Sequence, residues 1–104
     1  MKVALENFDF FKKDKKVVIL GDMFELGDSA NEEHQGIANL TSTLTFDKVL
    51  LIGENFYLTN TNATKLKSFE DLKAYLLENN LDPNSSILIK GSRGMALERV
   101  LPLL

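Results

Sequence analysis

Val17-Val18-Ile19-Leu20-Gly21-Asp22 decides the fold. Its first four residues are apolar and rich in β-branching, so the run reads as a strand covered on both faces. Gly21 ends the strand and Asp22 opens a loop. The same grammar recurs. Lys48-Val49-Leu50-Leu51-Ile52 ends at Gly53, and Ile87-Leu88-Ile89-Lys90 ends at Gly91. Residues 65–69 read as a weaker strand. Helical spacing fills the intervals. Met1, Ala4, Leu5 and Phe8 mark a short amphipathic helix over 2–9. Ala30, Ile37, Leu40 and Leu44 stripe a helix over 30–44. Leu72, Tyr75 and Leu76 stripe another over 70–79. Leu97, Val100 and Leu101 mark a last helix. Ser29 with Glu32, and Ser68 with Asp71, have capping-box spacing. Residues 54–63 read as loop with a helical turn at 55–58. Strands alternating with helices predict an α/β fold with a mostly parallel sheet.

Composition sets the outer limits. The chain has 104 residues, which suits one domain. Apolar residues make up 44% and charged residues 26%, the balance of a soluble globular core. The formal net charge of −3 argues against a general nucleic-acid binder. With no Cys and one His, disulfides, thiolate metal sites and His-rich zinc sites are excluded. No apolar run approaches the roughly 20 residues of a membrane span. Lys2, Glu6 and Asp9 interrupt the opening apolar pattern, so residues 1–11 do not read as a signal peptide. Lys12-Lys13-Asp14-Lys15-Lys16 reads as a solvated turn, or else as a phosphate-facing patch. These limits describe a small acidic cytoplasmic domain, short for a complete multi-substrate enzyme.

Open α/β sheets bind ligands beyond the carboxyl ends of their strands, where strand order reverses. Two loops there are rich in chemistry. Lys90-Gly91-Ser92-Arg93-Gly94 combines glycines, a point charge and a guanidinium fork. Ser92 is placed to cap a following helix, whose first amides would attract an anion. The competing reading is a glycine-rich strand-to-helix turn with exposed charges. Gly21-Asp22-Met23-Phe24-Glu25-Leu26-Gly27 is acidic. Its carboxylates are suited to an amine, a ribose hydroxyl or Mg²⁺. Alternatively Asp22 caps backbone amides in a tight turn and Glu25 is solvated, while Met23, Phe24 and Leu26 pack the loop onto the sheet. His34 reads as an orienting or packing residue.

These loops carry a resemblance. Residues 19–27 with His34, and Ile89-Lys90-Gly91-Ser92-Arg93-Gly94-Met95-Ala96-Leu97-Glu98-Arg99-Val100, resemble in order and spacing the MurF-type ligases of bacterial cell-wall synthesis. Met1-Lys2-Val3-Ala4-Leu5-Glu6-Asn7-Phe8 resembles the helix that follows that family's Asn-Ala-Asn-Pro segment. Residues 54–68 add little. The resemblance covers the last of three domains and implies that the chain is an N-terminally truncated piece of a longer protein. It implies a Rossmann-like three-layer sandwich with surviving strand order 4-1-2-3. The two strands that open the family's domain would then be missing beyond the fourth, leaving an apolar edge.

The activity implied is ATP-dependent amide synthesis. UDP-N-acetylmuramoyl-tripeptide is phosphorylated to an acyl phosphate, which the amine of D-alanyl-D-alanine attacks. ATP and Mg²⁺ would be bound mainly by the absent central domain, and the isolated chain would be inactive. The residues expected to bind substrate are Lys90, Gly91, Ser92 and Arg93 for the dipeptide carboxylate or a phosphate, and Asp22 and Glu25 as lip residues. Gly53, Glu54 and Asn55 are added because related ligases place substrate-reading residues at that rim. No catalytic or metal-binding residue is expected in this chain. The alternative is a self-standing nucleotide- or anion-binding module built on the turn at 91–94.

Overall fold

Alternate side chains of β1 (Lys16–Gly21) face opposite sides of the sheet, and each side has its own core. Val17 and Ile19 join Leu50 and Ile52 of β2 (Lys48–Ile52) beneath α4 (Phe69–Glu78), which contributes Leu72 and Leu76. Val18 and Leu20 join Leu51 on the other side, beneath α1 (Lys2–Asp9), α2 (Ala30–Thr43) and α3 (Glu54–Tyr57). Those helices contribute Leu5, then Ile37 with Ala38, then Phe56. The computed structural model describes residues 1–10, 15–24 and 27–103.

The sheet is parallel throughout, in the order β3-β2-β1-β4, with β3 at Thr64–Leu66 and β4 at Ser86–Lys90. This is the expected 4-1-2-3 read from the other edge, and the three layers are the expected sandwich. Strand order reverses between β1 and β4, so the loops after these two strands flank the crevice.

Several local expectations change. The third strand is Thr64–Leu66 rather than 65–69, because Ser68 turns the chain into α4: its hydroxyl accepts from the Asp71 amide at 3.2 Å. Ser29 precedes α2 but its side chain makes no cap hydrogen bond. It ends a 3₁₀ turn (Gly27–Ser29) with φ −87° and ψ 2°, away from the extended backbone a cap needs. The last segment is two 3₁₀ stretches, Arg93–Met95 and Leu97–Leu103, broken at Ala96 in the left-handed region (φ 48°). Its inward residues are Leu97, Val100 and Leu103, a period of three, while Leu101 is exposed.

The lysine-rich connector also differs from a purely solvated turn. Lys12, Lys13 and Asp14 lie outside the described residues. Lys15 pairs with Asp82 at 2.6 Å. Lys16 is buried, and its ammonium donates to the Asp9 carbonyl at 2.7 Å. The Asp9 carboxylate in turn accepts from the Thr45 amide and hydroxyl, each at 2.8 Å, tying the end of α1 to the connection into β2.

The Asp22 carboxylate, buried at the end of β1, accepts from the amides of Asn55 and Phe56 at 2.9 and 3.0 Å. It caps α3 from another part of the chain. Gly53 makes this possible: its φ is +123°, and a Cβ there would overlap that carboxylate.

Three outcomes follow from these contacts. Gly53→Ala destabilises the fold by at least about 2 kcal/mol, and Asp22→Ala by about 2 kcal/mol through two orphaned amides, with Asp22→Asn milder, all by denaturant unfolding. Thr45 holds the Asp9 carboxyl below its ordinary 3.8, and Lys15 does the same for Asp82. A depressed folded-state value adds stability above the ordinary range and loses it as pH falls through the depressed value. Stability therefore drops on acidification below pH 3.8, and the drop is shallower in Asp9→Asn with Asp82→Asn. Finally, β4 pairs only with β1 among the described residues, so its other edge is open. Light scattering at high protein concentration should detect association; a strictly monomeric chain would contradict this.

Candidate functional site

The ladders run one residue past the strands and build a rim. The Asp22 amide donates to the Ile52 carbonyl at 3.0 Å, and the Gly53 amide to the Leu66 carbonyl at 2.8 Å. The Ser92 amide reaches the Asp22 carbonyl at 3.1 Å. The carboxyl ends of all four strands are thereby gathered at one place, and the two motif loops lie side by side.

The loop after β1 is held from both sides. The Met23 amide donates to Nε2 of His34 at 2.9 Å, and Nδ1 of His34 lies 2.6 Å from the Ala30 carbonyl. That carbonyl only accepts, so Nδ1 carries the proton and Nε2 is bare. The imidazole in this geometry is neutral, and its Nε2 at 3.9 Å from the Asp22 carboxylate makes no ion pair. It is fully buried, edge-on to Phe56 with centroids 4.7 Å apart. On the other side the Phe24 amide donates to the Ser92 hydroxyl at 2.6 Å. The Phe24 ring lies over Gly94, where a Cβ would come within 2.6 Å of it. Phe24 remains half-exposed, and Met23 is the loop residue that packs into the core.

This Phe24–Ser92–Gly94 contact divides the rim into two clefts. One, of about 450 Å³, contains Lys90, Gly91, Ser92 and Arg93, with Leu97 and Glu98. The other, of about 390 Å³, contains Asp22, Gly53, Glu54 and Asn55, and Lys67 and Arg99 also line it. The residues singled out from sequence therefore fall into two groups rather than one. Glu25 and Leu26 lie outside the described residues. The Asp22 carboxylate does cap backbone amides, but those of α3, more than 30 residues along the chain, rather than those of its own turn. Ser92 does not cap a helix; its hydroxyl secures Phe24, and the turn that follows is three residues of 3₁₀. Among the described residues the 91–94 turn leads into 3₁₀ rather than α-helix, and Lys90 and Arg93 are its cationic side chains.

Sequence reasoning missed two cations. Lys67 follows directly on β3, but reading that strand through residue 69 hid it inside the strand. Arg99 stands inside the quoted C-terminal motif without a role. Its Nε donates to the Ala96 carbonyl at 2.9 Å and its Nη2 to the Met95 carbonyl at 3.0 Å. The signal for Lys67 was available: parallel strands bring all their carboxyl ends to one rim, and β3 is no exception.

Comparison with known proteins agrees with this architecture. Residues 1–93 match the family described as Mur ligase, glutamate ligase domain. The chain is 32% identical over 108 residues to the UDP-N-acetylmuramoyl-tripeptide--D-alanyl-D-alanine ligase of Borreliella burgdorferi, covering 95% of this chain and 23% of the relative. It is 35% identical over 112 residues to the ligase of that name from Treponema pallidum, covering 100% and 24%. It resembles the crystal structure of MurF ligase from Thermotoga maritima in complex with ADP, with TM-score 0.71, 26% identity, and 98% and 23% of the two chains covered. A MurF structure from Acinetobacter baumannii shares the fold with TM-score 0.79 at 22% identity, over 98% and 24%. The chain thus spans about a quarter of the length of the relatives it matches. Two rim loops in the expected order, a parallel sheet with the expected strand order and a family match over residues 1–93 lead to one assignment: the chain belongs to the Mur ligase, glutamate ligase domain family.

Proposed function

We propose that this chain is the C-terminal, dipeptide-binding domain of a ligase that adds D-alanyl-D-alanine to UDP-N-acetylmuramoyl-tripeptide in bacterial peptidoglycan synthesis. The reaction consumes ATP and passes through an acyl phosphate. The observation that carries this reading is the likeness, along nearly the whole chain, to ligases of that name. ATP and Mg²⁺ are assigned mainly to a central domain of the same enzyme. The rim fits a substrate-binding role: it offers Lys90 and Arg93 to a carboxylate or phosphate, with Gly91 and Ser92 shaping the turn. No described helix is long and apolar enough to cross a membrane. The enzyme is proposed to work in the bacterial cytoplasm, where its nucleotide substrates are made.

The self-standing anion-binding module has less support, since its helix N-terminus is replaced by a short 3₁₀ turn. Joining the upstream domains to this chain should give ATP hydrolysis that requires both tripeptide and dipeptide. In that enzyme Arg93→Ala should raise the dipeptide KM about tenfold or more, by loss of a charge-assisted hydrogen bond. Unchanged KM and kcat would remove Arg93 from the site. Micromolar nucleotide binding by the isolated chain, read by calorimetry, would favour the module instead.

A further inference from the structure

We propose that His34 is a proton-operated latch on the loop after β1. The neutral ring holds the Met23 amide; a proton on Nε2 hands the ring to the Asp22 carboxylate and releases the loop. The two states exclude each other. A bare Nε2 accepts one hydrogen bond, and the Met23 amide supplies it at 2.9 Å. Nδ1 is committed to the Ala30 carbonyl at 2.6 Å, so the ring cannot change tautomer without breaking that bond. A second proton turns Nε2 into a donor, and two donors then face each other at hydrogen-bond distance.

The new N–H has an acceptor close by. An Asp22 carboxylate oxygen lies 3.9 Å from Nε2, too far for a hydrogen bond while the loop is docked. A small movement of the ring closes that gap and gives up the Met23 contact. His34 is fully buried and Asp22 nearly so, and a charge on the ring is tolerable there only against an opposite charge. The Asp22 oxygens already accept from Asn55 and Phe56, and a carboxylate has capacity for a further donor. The other elements around the ring offer no rival. From α3 it meets the apolar Phe56 ring, and Glu54 of that helix is exposed. On its own helix Glu32 and Glu33 are exposed.

The consequence is felt at the rim. Met23 packs the loop into the core, and Phe24 follows it directly. With the Met23 amide released, Phe24 is held by its contacts to Ser92 and Gly94 alone. Acid therefore loosens the partition between the two clefts. None of these contacts depends on the ligase reading.

The test is NMR of the isotopically labelled chain from about pH 8 to about pH 5.5, the interval in which imidazole side chains change charge. His34 is the single histidine, so its ring nitrogens are read without ambiguity. Nε2 should pass from bare to protonated, and the Met23 amide should follow the same curve, its protection against hydrogen exchange falling about tenfold or more. The Asn55 and Phe56 amides should keep their protection, because the Asp22 carboxylate stays in place. In His34→Gln, whose amide oxygen can still accept from Met23, the Met23 signal should no longer respond to pH. Asp22→Asn should lower the midpoint of the ring titration by about one pH unit or more, since the charge that receives the imidazolium is gone. Four results would overturn the proposal: an Nε2 that stays bare to pH about 5.5, a protonated Nε2 with Met23 protection unchanged, a Met23 response that persists in His34→Gln, or an unmoved midpoint in Asp22→Asn. If Asp22→Asn does not fold, the other three remain decisive.

Discussion

The buried carboxylate of Asp22 is the constraint on which the rim depends. Removing a charge from water costs several kcal/mol unless its oxygens find donors. Here the donors are the first amides of α3, a helix of 4 residues that is far too short to stand on its own. Each side solves the other's problem. The solution demands that β1 and β2 end level with each other and that residue 53 carry no side chain. With α3 fixed, Phe56 is driven into the core against His34, and His34 can hold the Met23 amide. One satisfied carboxylate thus sets the height of two strands, the position of a short helix and the path of the loop after β1.

Most of the fold was legible because burial follows period two on the strands and about three and a half on the helices. Val17, Val18, Ile19 and Leu20 announced a strand covered on both faces, and the two cores divide them as that reading requires. The strand order came from resemblance and not from spacing. Less legible were features decided by a single long-range contact. Ser92 has the right residue type and place for a cap, yet its hydroxyl faces Phe24, a partner no local pattern announces. Leu97, Val100 and Leu101 fit a helical stripe, but Ala96 breaks the segment and Pro102 lacks the amide an α-helix interior would use. At the site, the motif loops were found and their partition was not. The Phe24 ring seated on Gly94 separates them, and sequence spacing does not encode which of two neighbouring loops supplies the wall.

The family relationship explains why so much of the surface chemistry gathers at one end. A chain that spans about a quarter of its relatives presents a rim of charged loops. Lys90, Arg93, Lys67 and Arg99 line shallow clefts, a form suited to a surface completed by a facing partner.

The latch between Phe24 and Ser92 also couples order at the rim to order at the edge of the sheet. Ser92 stands two residues beyond β4, one of the two edge strands of the sheet. Strands at an edge open more readily than those at the centre, and local opening has its own free energy, smaller than that of global unfolding. Whenever β4 lifts from β1, the Phe24 amide loses its acceptor. The hydrogen-exchange rate of that one amide therefore reports the docking of β4, so the position of Phe24 is tied to the edge strand.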